Sequence, residues 1–105
     1  MMPTLQEFDV LPEPERSSLF YLRGLRDQIA DSICADSSGF EKHVEAMIAY
    51  DYESSAYHFL RTYYAGNNYF GALERLQLFR RLCLRIARIE RERCRCHIPS
   101  NLQTA

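Results

Sequence analysis

The 105-residue chain has no tryptophan, one lysine and four scattered glycines, and these scarcities narrow what it can do. With no glycine cluster, there is no loop whose backbone amides could cradle a phosphate. No apolar run approaches the ~20 residues that a membrane-spanning helix requires. His43, His58 and His97 stand at no spacing that yields Glu-x-x-His or His-Glu-x-x-His, so no enzyme activity and no cofactor are expected. The opening stretch Met-Met-Pro-Thr-Leu-Gln-Glu-Phe-Asp lacks a basic n-region and an apolar h-region. No signal peptide is therefore expected, and a soluble, cytoplasmic protein is. In that setting Cys34, Cys83, Cys94 and Cys96 are read as reduced thiols.

A hydrophobic fraction of 47 %, with seven Tyr and six Phe, argues for a folded chain. Its length suits one domain over residues 1–105 with a single modest core. Charge is segregated along it. Residues 1–56 hold eleven acids against four bases, and residues 57–105 hold three against nine, so the halves carry about −7 and +6. Complementary halves can fold onto each other, pair between chains, or leave a basic face for an acidic partner.

Periodicity predicts an all-α bundle of three principal helices plus a short N-terminal one. Thr4-x-x-Glu7 has the form of a capping box, starting a helix that runs to about Leu11 before Pro12 and Pro14. Over 13–35 the apolar positions Leu22, Leu25, Ile29 and Ile33 share one face. Ser38-x-x-Glu41 repeats the box before a second helix, whose stripe shifts from Phe40, Val44, Met47 and Ile48 to Tyr52, Ala56, Phe59, Leu60 and Tyr63. That helix either meets two neighbours or breaks near 51–55. Gly66 reads as the left-handed residue after it, with Asn67-Asn68 making the turn. The last helix, over 69–94, is apolar around about two-thirds of its circumference and must touch more than one neighbour. Residues 97–105 have no period and are expected to fray.

The strip left to solvent on the last helix carries Arg81, Arg85 and Arg88 at i, i+4 and i+7, with Arg95 beyond. Like charges at that spacing repel unless an acid intervenes. The strip is therefore read as a docking surface for an acidic partner, as a solvated polar face, or as a face paired with Asp27, Asp31, Glu41 or Glu45 of the same domain. Nucleic acid is the competing ligand, but a net charge of −1 and a pI near 6.3 argue against it. Tyr21, Tyr50 and Tyr57 fall off the main apolar stripes and are candidate interface anchors, since tyrosine buries much area at small entropic cost. Cys94-x-Cys96-His97 offers zinc-type donors at the wrong spacing, because residues two apart on a helix point ~200° from each other. No metal site is assigned.

Within residues 56–79, Phe59, Tyr63, Tyr69, Ala72 and Leu76 follow the large, large, aromatic, small, large order of a tetratricopeptide-type hairpin, which this quarter of the chain resembles. The sequence departs from the motif at Leu60 and Phe79, where small residues are usual, and no second copy lies 34 residues away. The resemblance implies a helical adaptor or secretion-chaperone surface. The expectation overall is a small interaction module that binds a protein partner or itself and performs no chemistry.

Overall fold

The computed structural model describes residues 2–49 and 55–104, with side chains as far as residue 94. Among the described residues there are five α-helices, one 3-10 turn and no strand: α1 (Leu5–Asp9), the turn Glu15–Ser17, α2 (Leu19–Cys34), α3 (Glu41–Ala49), α4 (Ser55–Gly66) and α5 (Phe70–Thr104). The all-α class is as the periodicity predicts.

Local chemistry sets most of the boundaries. The Thr4 hydroxyl accepts from the Glu7 amide while the Glu7 carboxylate accepts from the Thr4 amide, which closes the predicted capping box on α1. The next helix starts later than its apolar period suggests. Ser18 caps it by accepting from the Tyr21 amide at 3.2 Å, and the residues just ahead form the 3-10 turn. At α3 the first helical amide bond, from Val44, goes to the Phe40 carbonyl. Phe40 is therefore the cap residue, and Ser38 lies too far ahead to form the predicted box.

The predicted second helix is two helices. A continuous helix would set Phe40 and Tyr63 roughly 35 Å apart, whereas their ring centroids are separated by 5.1 Å. The chain therefore folds back between α3 and α4, and His43 stacks on Phe59 at 4.4 Å across the hairpin. Tyr52 lies outside the described residues. The buried face of α4 is also rotated from the predicted stripe: Ala56, Tyr57, Leu60 and Tyr64 are inside, while Phe59 is 48 % exposed and Tyr63 half-buried. Tyr64 can be buried because its hydroxyl finds Asp36 at 2.6 Å.

The turn after α4 is a Schellman motif displaced from its expected position. The Tyr69 amide donates to the Tyr64 carbonyl at 2.9 Å and the Asn68 amide to the Ala65 carbonyl at 3.2 Å. Asn68, with φ 61°, is thus the left-handed residue, and Gly66 is the last residue of α4.

α5 is the axis of the molecule. At 1.5 Å per residue it is about 52 Å long, close to the longest molecular extent of 55 Å. It packs against α1, α2, α3 and α4, which accounts for its broad apolar arc. Leu76, Leu78, Phe79, Leu82, Cys83 and Ile86 are buried on it, whereas the side chains from Glu90 to Cys94 are exposed. The helix runs through Pro99 to Thr104, where the sequence predicts fraying. Extending an existing helix needs no new nucleus, so a segment without apolar period can follow it.

Candidate functional site

α1 has a single buried residue, Phe8, and lays it on the face of α5 that helical periodicity assigns to solvent. The Arg85 guanidinium covers the Phe8 ring, 4.6 Å from its centroid. Beside it, Asp9 receives the Arg81 guanidinium in an ion pair. Phe8, Leu84, Arg81, Arg85, Arg88 and Arg91 together line a groove of about 300 Å³.

The groove is electrostatically unbalanced. Arg81 has Asp9, and among the described residues Arg88 has only the exposed Glu92 one turn on, at 4.0 Å. Arg85 Nη1 is buried with no hydrogen-bond partner among the described residues. Burial lowers the Arg85 pKa, and the charges of Arg16, Arg88 and Arg81 lower it further against the opposing pull of Asp9. A carboxylate entering here would give Nη1 an acceptor and relieve the repulsion. The guanidinium fork is shaped to take that group with two parallel bonds.

Of the candidate residues, Arg81, Arg85 and Arg88 are brought together in one groove, while the Arg95 side chain and Tyr50 lie outside the described residues. Tyr21 is half-buried against the core. Tyr57 is not an exposed anchor: it is 9 % exposed, on the inner face of α4, with the Arg80 guanidinium 4.7 Å from its ring centroid. Arg91 is not part of the strip read from the sequence, because ten residues on from Arg81 it is turned about 80° around the helix. Phe8 carried no signal, because a lone apolar residue on a one-turn helix does not say where it docks, and Leu84 was one of many apolar positions around α5.

The acids expected to neutralise the strip do not reach it. Asp27 pairs with its neighbour Arg26 at 3.1 Å, and Asp31, Glu41 and Glu45 form no ion pair among the described residues. α5 is held instead by Asp9 on Arg81, by Glu90 on Arg23 of α2, and by Asp36 on Arg75.

A larger cleft of about 580 Å³ opens at the α4–α5 turn, lined by Tyr63, Tyr69 and Phe70 above Asp36, Tyr64 and Arg75. Its polar end is mostly satisfied, although Arg75 Nε is buried with no hydrogen-bond partner among the described residues. Arg75 donates to Asp36, to Ser32 and, at 3.2 Å, to the Tyr64 hydroxyl. Burial, then the hydrogen bond to Asp36, raises the Tyr64 phenol well above its ordinary pKa. This network ties α2, α4 and α5 together. Sequence reasoning misses it because its members come from separate helices.

Two of the described thiols, Cys34 and Cys83, are held in the protonated form. Burial pushes Cys83 up to about 12, and burial followed by the charges of Glu41, Asp31 and Glu45 raises Cys34. Cys94 is exposed, and α5 continues through this point and on past residues 96 and 97. No helix among the described residues is long and apolar enough to cross a membrane.

Comparison with protein-family models, with curated proteins and with solved structures finds no match. The stretch resembling a tetratricopeptide hairpin does form two packed helices, α4 and the start of α5. Leu60, however, is fully buried where that motif keeps a small residue, and α5 runs on to Thr104.

Proposed function

We propose that this protein is a small non-enzymatic interaction module that takes an acidic protein segment into the arginine groove between α1 and α5. The observation that carries the reading is Arg85: partly buried, surrounded by cations, and holding an unbonded N–H in a groove whose floor is Phe8 and Leu84. A cationic rim over an apolar floor suits a helix that bears carboxylates at i, i+4 and i+7 around an apolar side chain. The adaptor reading suggested by the tetratricopeptide-like stretch would instead place the partner on the α4–α5 hairpin, where the Arg75 charge is already matched by Asp36.

Nucleic acid is the alternative ligand for the same arginines. The two are separated by fluorescence anisotropy at ~50 mM salt, using an acidic amphipathic peptide and a DNA duplex as probes. The peptide is expected to bind and the duplex to fail. Duplex binding that falls linearly in log-log form between ~50 and ~200 mM salt, with no peptide binding, would replace the protein reading with the nucleic-acid one.

A further inference from the structure

We infer that the acidic segment received by the arginine groove carries a phosphorylated serine or threonine, whose phosphate seats among Arg85, Arg88 and Arg91; this rests on the groove being the interaction site.

The charge left over in the groove calls for a dianion. Arg81 is matched by Asp9, whereas Arg85, Arg88 and Arg91 have one ion-pair partner between them among the described residues, Glu92 on Arg88 at 4.0 Å. Three guanidinium charges against one carboxylate leave an excess of two, before counting Arg16, whose charge also acts on Arg85. A phosphomonoester carries about −1.5 to −2 at pH 7 and presents three acceptor oxygens, so one such group balances the site. A single carboxylate balances half of it.

The arginines are also placed to meet one group. Arg85, Arg88 and Arg91 follow at i, i+3 and i+6, a slanting row in which neighbouring Cβ atoms stand about 5–6 Å apart. All three line the same groove of about 300 Å³, so their long side chains can turn towards one centre. Arg85 is the fixed member, its guanidinium lying on the Phe8 ring and its buried Nη1 lacking a hydrogen-bond partner among the described residues. Arg88 and Arg91 are exposed and can close over a phosphate from the solvent side. Guanidinium–phosphate bonds are charge-assisted, and each fork can take two oxygens at once. Carboxylates a helical turn apart, ~6 Å, must instead be met by one arginine each.

The surroundings select the source of the phosphate. Asp9 stands beside Arg81 and Glu92 beside Arg88, so acids bound the basic patch along α5. A duplex, with one charge per ~1.7 Å of its axis, would lay phosphates against those acids. A lone phosphate on a peptide avoids them. The Phe8 ring is 1 % exposed beneath Arg85 and offers no face to a phosphotyrosine ring, so the shorter serine or threonine stem fits better.

The test is fluorescence anisotropy at ~150 mM salt and about pH 7.5, where a phosphate with a second pKa near 6 is dianionic. Three labelled peptides share one amphipathic helical sequence and differ at one site. That site holds serine, phosphoserine, or glutamate with a second glutamate four residues on, the last two peptides being nearly equal in charge. The phosphoserine peptide is expected to bind at least ~10-fold more tightly than the diglutamate peptide, and the serine peptide most weakly. Arg88→Gln/Arg91→Gln leaves Arg81, Arg85 and Phe8 in place and replaces two exposed side chains, with the fold checked by circular dichroism. It should bring the phosphoserine and diglutamate peptides to within about 2-fold of each other.

Equal affinity of the wild-type chain for the phosphoserine and diglutamate peptides would overturn the inference and leave the interaction-module reading standing. Failure to bind any of the three peptides removes both. A phosphoserine preference unchanged in Arg88→Gln/Arg91→Gln would place the phosphate elsewhere and overturn the assigned seat. Displacement of the phosphoserine peptide by duplex DNA or phosphatidic acid vesicles, at a lower phosphate concentration than the unlabelled peptide requires, would overturn it in favour of that source.

Discussion

Arg85, Tyr64 and Cys83 show three ways in which this small core accommodates polar chemistry. Arg85 lies over Phe8 and leaves one N–H without an acceptor. Tyr64 instead spends its hydroxyl on Asp36 and Arg75. Replacing it with Phe keeps the ring and removes both bonds to charged partners, so Tyr64→Phe should cost about 1.5–3 kcal/mol in urea unfolding. Cys83 is simply buried, which pushes its folded-state pKa up to about 12, above the ordinary thiol value of 9.0. An acid whose pKa is raised on folding holds its proton longer in the native state than in the unfolded one. Its contribution is therefore intact below pH 9 and falls as pH rises from 9 towards 12, at up to ~1.4 kcal/mol per pH unit. Urea melts at pH 8 and pH 10 should show this loss in the wild-type chain and a smaller one in Cys83→Ala, whatever the baseline cost of the cavity.

The helices differ in how much of each could be read from the chain. α2 and the central part of α5 follow strong 3.6-residue stripes, and Leu22, Leu25, Ile29, Leu76, Phe79 and Leu82 are buried as those stripes predict. α4 was misread by one position because it is aromatic nearly all round. Periodicity cannot say that Tyr57 and Tyr64 have polar partners when those partners, Arg80, Asp36 and Arg75, lie on other elements. The same limit hides half of the candidate site: the arginine spacing is readable in the sequence, but the docking of α1 over it is not. Turn chemistry was similarly divided. The loop after α4 was placed correctly, but the left-handed residue is Asn68 and not Gly66. A β-branched residue there should be strained, so Asn68→Val is expected to lower unfolding stability by about 1–2 kcal/mol, whereas Asn68→Gly should be neutral or better. Gly24, exposed within α2, has open space around its Cβ position. Gly24→Ala should raise stability by up to ~1 kcal/mol in the same assay.

At the scale of the whole molecule, charge segregation along the sequence becomes segregation in space. α5 takes Asp9 from α1 and Asp36 from the loop after α2, pairs its own Glu92 with Arg88 and gives Glu90 to Arg23 of α2, which leaves a basic groove on one side of the bundle and exposed acids on α2 and α3. The exposed pairs stabilise little, each contributing at most ~1 kcal/mol. The fold is held instead by apolar packing around α5 and by the Asp36–Tyr64–Arg75 network. The groove is accordingly the place where charge can change without unmaking the protein. Arg85→Glu/Arg88→Glu should keep helical content while reversing the sign of the site. The most direct measurement is an anisotropy titration at ~50 mM salt of the acidic amphipathic peptide against the wild-type chain and this double variant. A loss of at least ~10-fold in affinity, equivalent to about 1.4 kcal/mol, is predicted for the variant. Equal affinity for the two proteins would contradict the account.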